Sequence, residues 1–298
     1  LSDCQAGILF VATTSASNVV IDSNYIFATT ESLINIQGGS GQVIQNNAFG
    51  ERSDGTASTF TGGVVVGSEI DGVTIDNNTF SNGTTKNISA TDATSLVISN
   101  NTFTGPTADQ GVIVDGGNLI GFSGNTFTGV TGTGKYALYT DGAPTNVTIG
   151  LDSNDVGTAN TFSGNSGAVY ITGNTNLVKG NTFSDNTTID IYADNLTDSY
   201  IENNTFSDGL HAIGLVDSDD NFITANTLTN YTDANGWGIH LYTNSDYNTV
   251  DDNTLTDVNG DNILVDNGGA SNTIEINTIG NSTSSSGSQI GIHIDASS

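Results

Sequence analysis

The heptapeptide IDNNTFS at residues 75–81 returns as ISNNTFT at residues 98–104 and as IENNTFS at residues 201–207. Each copy places an isoleucine three positions before a central asparagine and a phenylalanine two positions after it. Related versions of this pattern, some with Leu or Ile in place of Phe, recur along the 298-residue chain. The gaps between successive central asparagines are 23, 31, 23, 24, 35, 21, 23, 22, 27 and 24 residues. This recurrence predicts a repeat architecture with a base period of about 22–24 residues.

The central asparagines, called the anchor asparagines below, fall in a predicted turn of every repeat. A side-chain amide in such a turn donates to one neighbouring copy and accepts from the other, which predicts an asparagine ladder. The phenylalanines at the same phase predict a column of stacked rings, and a ligand-binding role for the triplets is the alternative reading. The anchor asparagines are Asn24, Asn47, Asn78, Asn101, Asn125, Asn160, Asn181, Asn204, Asn226, Asn253 and Asn277. The expected ring column contains Phe80, Phe103, Phe127, Phe162, Phe183 and Phe206.

Short alternating segments rich in β-branched residues follow the anchors and are bounded by Gly, Asn, Asp and Ser, which is typical of short strands. A coil with two or three such strands does not bury its apolar side alone, whereas coils stacked at the strand spacing of about 4.8 Å share a continuous core. The sequence therefore predicts an all-β fold. We expect a single parallel β-solenoid domain over residues 1–298, with about twelve coils, an asparagine ladder and a phenylalanine stack.

The charge is strongly acidic, with 32 Asp and Glu against 4 Lys and Arg and a net charge of −28. Binding to nucleic acid needs basic side chains that displace counterions, and anionic membranes repel a chain of this charge. No apolar run approaches the roughly 20 residues that span a bilayer as a helix. We expect no nucleic-acid partner and no membrane insertion.

The stretch GIHLYTNSDYN at residues 238–248, followed by TVDDNTL at residues 249–255, resembles the repeats of a known superfamily. NVTIG at residues 146–150, together with GTANTF at residues 157–162, resembles a second variant of the same coil. Both are similar to right-handed parallel β-helix repeats of the pectate-lyase-like superfamily. The branch they resemble most contains carbohydrate-binding and sugar-hydrolysis repeats and an accessory protein of nitrous oxide reductase. The resemblance implies a right-handed β-helix over essentially the whole chain. It leaves the function open, because members include lyases, hydrolases, epimerases, phage tail proteins, adhesins and surface-layer proteins.

For an enzyme, the resemblance implies a site on the outer face of the strand that follows each anchor. Hydrolysis of glycosides generally needs two carboxylates, and the predicted outward column contains only Asp190, about 10 Å from His240. The resemblance implies Arg or Lys in lyases and epimerases, and none lies in that column. We therefore predict no catalytic residues. The predicted column is Leu9, Asn35, Val65, Asn87, Ile113, Ala137, Tyr170, Asp190, Gly214, His240, Leu264 and His293.

Tyrosines and aliphatic residues make the same face unusually apolar. Tyr139, Tyr170, Tyr192 and Tyr242 are candidates for stacking on sugars, for packing against a protein or for ordinary surface positions. Among the functional readings we favour protein contact, because the aliphatic residues run the full length of the face.

We identify no capping element at either end, which predicts either a fragment or head-to-tail assembly. Cys4 is a candidate for locking such a contact.

Metal ligands are sparse, since one Cys, three His and no Met argue against a copper or zinc site. A copper role suggested by the resemblance is therefore not carried over, and no cofactor is expected. Calcium is the alternative, because the acidic turns at residues 217–220 and 257–261 offer oxygen ligands.

Seven Asn-x-Ser/Thr sites in turns or at strand ends are expected to be accessible for glycosylation. They are Asn82, Asn87, Asn146, Asn186, Asn195, Asn230 and Asn281.

Together these features predict an extracellular or cell-surface structural protein without catalysis, such as a surface layer, sheath, filament or adhesin. It would self-associate through its solenoid ends and its tyrosine face, so that its partners are copies of itself, with cell-surface glycans as further candidates. The alternative is a carbohydrate-active or carbohydrate-binding β-helix, such as a polysaccharide lyase, a hydrolase or a tail-fibre module.

Overall fold

The computed structural model describes residues 8–10, 17–27, 32–105, 109–233, 235–267, 269–280 and 290–295. Every regular element in these ranges is a β-strand, and each strand pairs in parallel with the corresponding strand of the next coil. The described residues contain no helix long and apolar enough to cross a membrane. Cys4 and Asn281 lie outside the described residues, and the predictions made for them stay predictions.

The strands form three faces, here called sheets 1, 2 and 3 in the order in which the chain visits them. Sheet 1 consists of Ile8–Phe10, Ser32–Ile36, Phe60–Val66, Gly83–Thr91, Val112–Asp115, Tyr136–Asp141, Gly167–Asn174, Ile189–Thr197, His211–Val216, Trp237–Tyr242, Asp261–Val265 and Ile290–Ile294. Sheet 2 consists of Val20–Asp22, Val43–Gln45, Thr74–Asp76, Val97–Ser99, Asn118–Ser123, Thr145–Gly150, Leu177–Lys179, Tyr200–Glu202, Phe222–Thr224, Thr249–Asp251 and Thr273–Glu275. Sheet 3 consists of Tyr25–Ile26, Ala48–Phe49, Thr79–Phe80, Thr102–Thr104, Thr126–Thr128, Thr161–Ser163, Thr182–Ser184, Thr205–Ser207, Thr227–Tyr231, Thr254–Val258 and Thr278–Ile279.

The described chain thus makes about eleven turns plus one more strand of sheet 1. Sheets 1 and 2 are also joined where Thr145 pairs with Asn174. The predicted all-β parallel solenoid is confirmed, and the predicted number of about twelve coils is close to the observed one.

A column of buried phenylalanine rings fills the interior beside sheet 3. From Phe49 to Phe206 the ring centroids of successive coils are 4.4 to 5.0 Å apart, with interplanar angles of at most 18°. This spacing equals the distance between paired strands, so each ring stacks on its counterpart without any change of backbone register. The predicted phenylalanine stack is present, and it begins one coil earlier than expected, at Phe49.

The anchor asparagines form a ladder at the turn between sheets 2 and 3, and its members from Asn47 to Asn253 are buried. Asn78 Nδ2 donates to Asn101 Oδ1 at 3.0 Å, and the same oxygen accepts from the Asn78 backbone N–H at 2.8 Å. Asn78 Nδ2 also donates to the Ile44 carbonyl at 2.8 Å. Each amide therefore satisfies backbone groups of the turn that would be costly to bury unpaired. The preceding residue, such as Asn77 with φ 51°, takes the left-handed conformation that Asn tolerates well, which explains the Asn-Asn pairs of the sequence.

Four residues of the predicted outward column of sheet 1 are in fact buried, and one of them, Gly214, lies beneath Trp237. The other three, Asn87, Ala137 and Asp190, are fully inaccessible. Each is followed by a second inward residue, as Asp190 is by Ile191, so the strict alternation breaks at the start of the strand. The outward positions in those coils are occupied instead by the paired residues of the register, Ser89, Tyr139 and Tyr192.

Candidate functional site

Eight tyrosine, tryptophan and histidine side chains form one connected group on sheet 1, called the ring row below. They cover five successive strands, from Tyr136–Asp141 to Trp237–Tyr242, a length of about 20 Å at the strand spacing. Each member contacts at least one other ring of the row. The ring row consists of Tyr136, Tyr139, Tyr170, Tyr192, His211, Trp237, His240 and Tyr242.

The tyrosine part of the ring row follows directly from strand register. Tyr139, Tyr170 and Tyr192 are paired across neighbouring coils, so their side chains leave the sheet one above the other. Their ring centroids are 4.4 Å and 5.5 Å apart, with interplanar angles of 18° and 21°. Tyr136 meets Tyr170 edge to face at 5.4 Å. Because the stacked rings cover each other's faces, the side turned to solvent consists largely of ring edges and hydroxyl groups.

Carboxylates along one margin of the ring row accept hydrogen bonds from its hydroxyls. The Tyr170 hydroxyl donates to Asp194 Oδ2 at 2.6 Å, and the Tyr139 hydroxyl lies 3.5 Å from Asp141 Oδ2. Loss of solvation raises the pKa of Tyr136 and Tyr170 well above the usual range, and the bond to Asp194 adds to the effect for Tyr170. These phenols are therefore neutral at physiological pH, and the Tyr170 hydroxyl acts as a hydrogen-bond donor.

The histidine and tryptophan part of the row is built on the next two strands. His211 pairs in register with Trp237, and their rings stack with centroids 4.2 Å apart. His240 meets the edge of Trp237 at 5.1 Å and stacks on Tyr242 at 4.4 Å. A Cβ on Gly214 would lie 2.9 Å from Trp237 Cη2, so the missing side chain there lets the indole lie across the strand.

Both histidines of the ring row are neutral at pH 7. Burial lowers the pKa of His211 to about 4, and burial also lowers the pKa of His240. His240 Nε2 is 3.2 Å from Asp266 Oδ1, but the two groups are not aligned for a hydrogen bond. His211 Nδ1 is buried without a hydrogen-bond partner among the described residues.

Asp190, which the sequence placed on this face, belongs to the interior instead. It accepts hydrogen bonds from the Tyr231 hydroxyl and from Asn186 Nδ2, the latter at 2.7 Å. Burial raises its pKa to about 7, against the lowering effect of both hydrogen bonds. Tyr231 lies 41 residues away in sequence, and only the folded coil brings the two together.

Two predicted glycosylation sites are not accessible. Asn87 is fully buried and Asn186 is 1% exposed, because both side chains point into the solenoid. The prediction of accessibility is therefore wrong for these two positions. The other described sites, which are exposed, are Asn82, Asn146, Asn195 and Asn230.

The metal-binding capacity of the described residues is low. No group of three or more His, Cys, Asp or Glu side chains in the described ranges could hold a metal ion. His240 with Asp266 and His293 with Asp261 are two-residue contacts, at 3.2 Å and 3.0 Å. Each pair offers one imidazole and one carboxylate, which is fewer ligands than a copper centre needs.

Several solved structures share the fold at low sequence identity. The surface adhesin PfbA of Streptococcus pneumoniae is 14% identical with a TM-score of 0.66, and the match covers 95% of this chain and 78% of that one. The A-module of the mannuronan C-5 epimerase AlgE6 of Azotobacter vinelandii is 10% identical with a TM-score of 0.63, covering 92% and 78%. The Dettilon tailspike protein is 14% identical with a TM-score of 0.58, covering 85% and 62%. At such identities the similarity establishes the architecture and leaves the activity open. No curated protein matches the chain.

Two family models match the sequence. A model described as right handed beta helix region matches residues 2–127, and one described as periplasmic copper-binding protein (NosD) matches residues 110–263, slightly more than half of the chain. The resemblance to β-helix repeats is confirmed, although the described residues offer no copper centre to go with the second family's description. The chain belongs to the NosD family and is a right-handed parallel β-helix protein.

Proposed function

We propose that the chain is a surface protein of the adhesin or surface-layer type, without catalysis, and that the ring row is its protein-contact surface. The observation that carries this proposal is the stacking of the tyrosines on one another, 4.4 Å apart for Tyr139 and Tyr170. Sugar-binding platforms present ring faces, whereas this surface presents edges and hydroxyls. Edges of Tyr and Trp rings with neighbouring hydrogen-bonding groups suit a protein interface, where Tyr and Trp are enriched among the residues that supply most of the binding energy.

The absence of catalysis rests on the chemistry of the ring row. Asp194 Oδ2 already accepts a hydrogen bond from the Tyr170 hydroxyl at 2.6 Å, so this carboxylate is not free to act as a general base. Lys135 immediately precedes the ring row in sequence. Its Nζ atom lies 3.5 Å from Asp109 Oδ1, so its side chain points towards Asp109. Retaining and inverting glycosidases need two carboxylates on opposite sides of the scissile bond, and the row itself consists of rings.

The partners we propose are other copies of the chain. Each copy carries a net charge of −28, so association requires that salt or bound cations reduce the repulsion. We propose calcium as the natural counterion, since carboxylates such as Asp141 and Asp194 border the row. A structural neighbour named as a surface adhesin and a family model described as a periplasmic protein support a location outside the cytoplasm.

The test is the oligomeric state of the intact chain in sedimentation velocity at low and at moderate salt. We expect association to strengthen between about 20 mM and about 300 mM NaCl, because screening weakens the repulsion between copies. The double variant Tyr139→Thr with Tyr192→Thr should remain monomeric. The matched control, Tyr200→Thr with Phe222→Thr on sheet 2, should associate as the parent does. A parent chain that stays monomeric at every salt concentration contradicts the proposal.

A carbohydrate-binding role is the second candidate, and the hydroxyls and carboxylates at the margin of the ring row favour it. Asp141 and Asp194 offer acceptors for sugar hydroxyls beside the donors Tyr139 and Tyr170. Incubation with a panel of polysaccharides separates the candidates. Binding without the release of reducing ends or unsaturated products supports this role, and the release of such products would identify an enzyme.

A further inference from the structure

We propose that sheet 2 carries a separate docking groove, and that its occupant is a peptide segment of another protein that presents Lys or Arg beside an apolar residue. The groove has a volume of about 360 Å³ and lies on the outer face of three successive coils. It does not involve the ring row, which is on sheet 1, so the inference is independent of the function proposed above. The lining residues that carry the argument are Asp152, Leu177, Asp198, Tyr200 and Glu202.

The floor of the groove is formed by half-buried Leu177 and exposed Tyr200, which are paired in register on neighbouring strands. Phe222 is paired with Tyr200 on the next strand and extends this apolar strip beyond the groove. The rings of Tyr200 and Phe222 stack with centroids 4.8 Å apart, yet Tyr200 is 44% exposed and Phe222 is 39% exposed. Large aromatic side chains left uncovered side by side mark surfaces that bind a partner.

One wall of the groove is the loop at residues 151–158, which accounts for part of the 35-residue gap between Asn125 and Asn160. The Asp152 carboxylate holds the loop in shape, because its Oδ1 accepts from the backbone N–H groups of Asn154 at 2.8 Å and Val156 at 2.9 Å. These hydrogen bonds lower the pKa of Asp152, with the bond to Val156 contributing most. The wall therefore has a defined structure of its own.

An ion-pair bridge fastens this wall to sheet 2. Lys179 Nζ lies 3.0 Å from Asp155 in the loop and 2.8 Å from Glu202 on the neighbouring strand. The Lys179 side chain is only 8% exposed, so the bridge is shielded from solvent on the lysine side. Leu151 covers Gly180 in addition, since a Cβ at Gly180 would lie 2.8 Å from Leu151 Cδ1. The groove is thus built into the fold before any ligand arrives, which lowers the entropic cost of binding.

The charge of the groove selects a cation. Asp152 and Asp198 line it with no described Lys or Arg within ion-pair distance, whereas Glu202 is paired with Lys179 in the bridge. Carboxylates at the rim of an apolar floor attract Lys or Arg through their charge. The alkyl stem of the incoming side chain would lie on Tyr200, with its charged end at the carboxylates.

The occupant is not a second copy of this chain, because the chain has almost no free cations to offer. It contains 4 basic residues in all. Lys135 pairs with Asp109, Lys179 forms the bridge, and Arg52 lies 5.0 Å from the centre of the Phe27 ring. Only Lys86 is left among the described basic side chains without an acidic or aromatic contact, and it lines a trough on sheet 1. A partner with complementary charge must therefore be a different protein.

The test uses the intact chain and a fluorescein-labelled peptide of repeating Gly-Lys-Leu units, with a Gly-Glu-Leu peptide of equal length for comparison. Binding is measured by fluorescence anisotropy at about 150 mM NaCl, where general attraction to the acidic surface is screened within about 8 Å. We expect the lysine peptide to bind and the glutamate peptide not to bind. Tyr200→Ser with Phe222→Ser keeps the charge and should weaken binding about tenfold, which corresponds to about 1.4 kcal/mol.

The matched control is Tyr139→Ser with Tyr192→Ser in the ring row, which should change the dissociation constant less than about twofold. A second variant, Asp198→Asn, removes one rim charge without touching the floor and should weaken binding in the same direction. Equal loss in the sheet 1 and sheet 2 variants, or unchanged binding after replacement of Tyr200 and Phe222, would show that binding does not depend on the groove and would overturn the proposal. Failure of the ring-row association test leaves these expectations unchanged.

Discussion

Replacing Asp190 by Asn should stabilise the protein at neutral pH, although it changes a buried, hydrogen-bonded side chain. In the folded chain the Asp190 carboxyl lies between Tyr231 and Asn186, and burial raises its pKa to about 7. An asparagine there keeps both contacts, since its oxygen accepts from Asn186 and its amide donates to the Tyr231 oxygen. It also carries no charge at any pH.

The magnitude follows from the difference between the two pKa values of Asp190. An unfolded Asp has a pKa of about 3.9, so between about pH 4 and pH 7 the folded state holds a proton that the unfolded state has lost. The unfolding free energy of the parent therefore falls as pH rises through this window and becomes independent of this group above about pH 7. The advantage of Asp190→Asn should grow by about 3 kcal/mol between about pH 5 and pH 8.

The assay is urea unfolding followed by far-UV circular dichroism across this pH range, with unfolding and refolding curves compared at each pH. Free energies are compared only where the two curves coincide, because long repeat proteins depart from two-state behaviour. Asp198→Asn, which removes an exposed carboxylate, is the control and should follow the parent profile. If the profiles of Asp190→Asn and the parent are parallel from about pH 5 to pH 8, the reasoning about the buried carboxyl is refuted.

Three further predictions concern the ladder and the ring row. Asn204→Ala removes a buried amide that bonds coils on both sides and should lower the unfolding free energy by about 3 kcal/mol, measured by urea unfolding. Gly214→Ala places a Cβ 2.9 Å from Trp237 Cη2 and should change the emission of this sole tryptophan, whereas Gly121→Ala, with nothing within 4 Å of the new Cβ, should leave it unchanged. Because burial lowers the pKa of His211 to about 4, the emission of Trp237 should change on acidification with a midpoint near pH 4, and a midpoint near pH 6.5 would contradict the stacking.

The sequence was sufficient for the fold because one residue type at one phase performs the same structural task in every coil. An anchor such as Asn181 needs only its two neighbours in the ladder, and these neighbours recur at the repeat period.

A second, shorter ladder was not predicted from the sequence, although it has the same period. Asn221 Nδ2 donates to Asn248 Oδ1 at 3.1 Å, and Asn272 Oδ1 accepts from the Asn248 backbone N–H. Asn221, Asn248 and Asn272 each stand five residues before an anchor asparagine and two before Ile or Val, and this fixed offset was the available signal.

Which residues face outward was harder to predict, because it depends on a shift of one position within each strand. Asp190 and Ile191 both point inward, and strict alternation placed the first of them on the surface. The same shift brings Tyr139 and Tyr192 into one column with Tyr170, although the predicted outward column contained only Tyr170 of these three residues. The sequence thus identified the individual tyrosines. It did not predict their contact as one row, because that contact depends on the backbone geometry of each strand, which composition and residue spacing do not determine.

Interior and exterior side chains of this solenoid have different roles, which explains how one small fold carries two chemically different surfaces. The ladder and the ring stack hold the coils together with neutral groups that repeat from coil to coil, so outward positions contribute little to register and are free to differ between sheets. Sheet 1 presents neutral tyrosines bordered by carboxylates, and sheet 2 presents a groove closed by an inserted loop. If the two surfaces act independently, a chain with both pairs of aromatics replaced should lose self-association and peptide binding, each to the extent seen in the separate variants. A larger combined loss would mean that the coils between the faces transmit strain, and the solenoid would then be less modular than its repeats indicate.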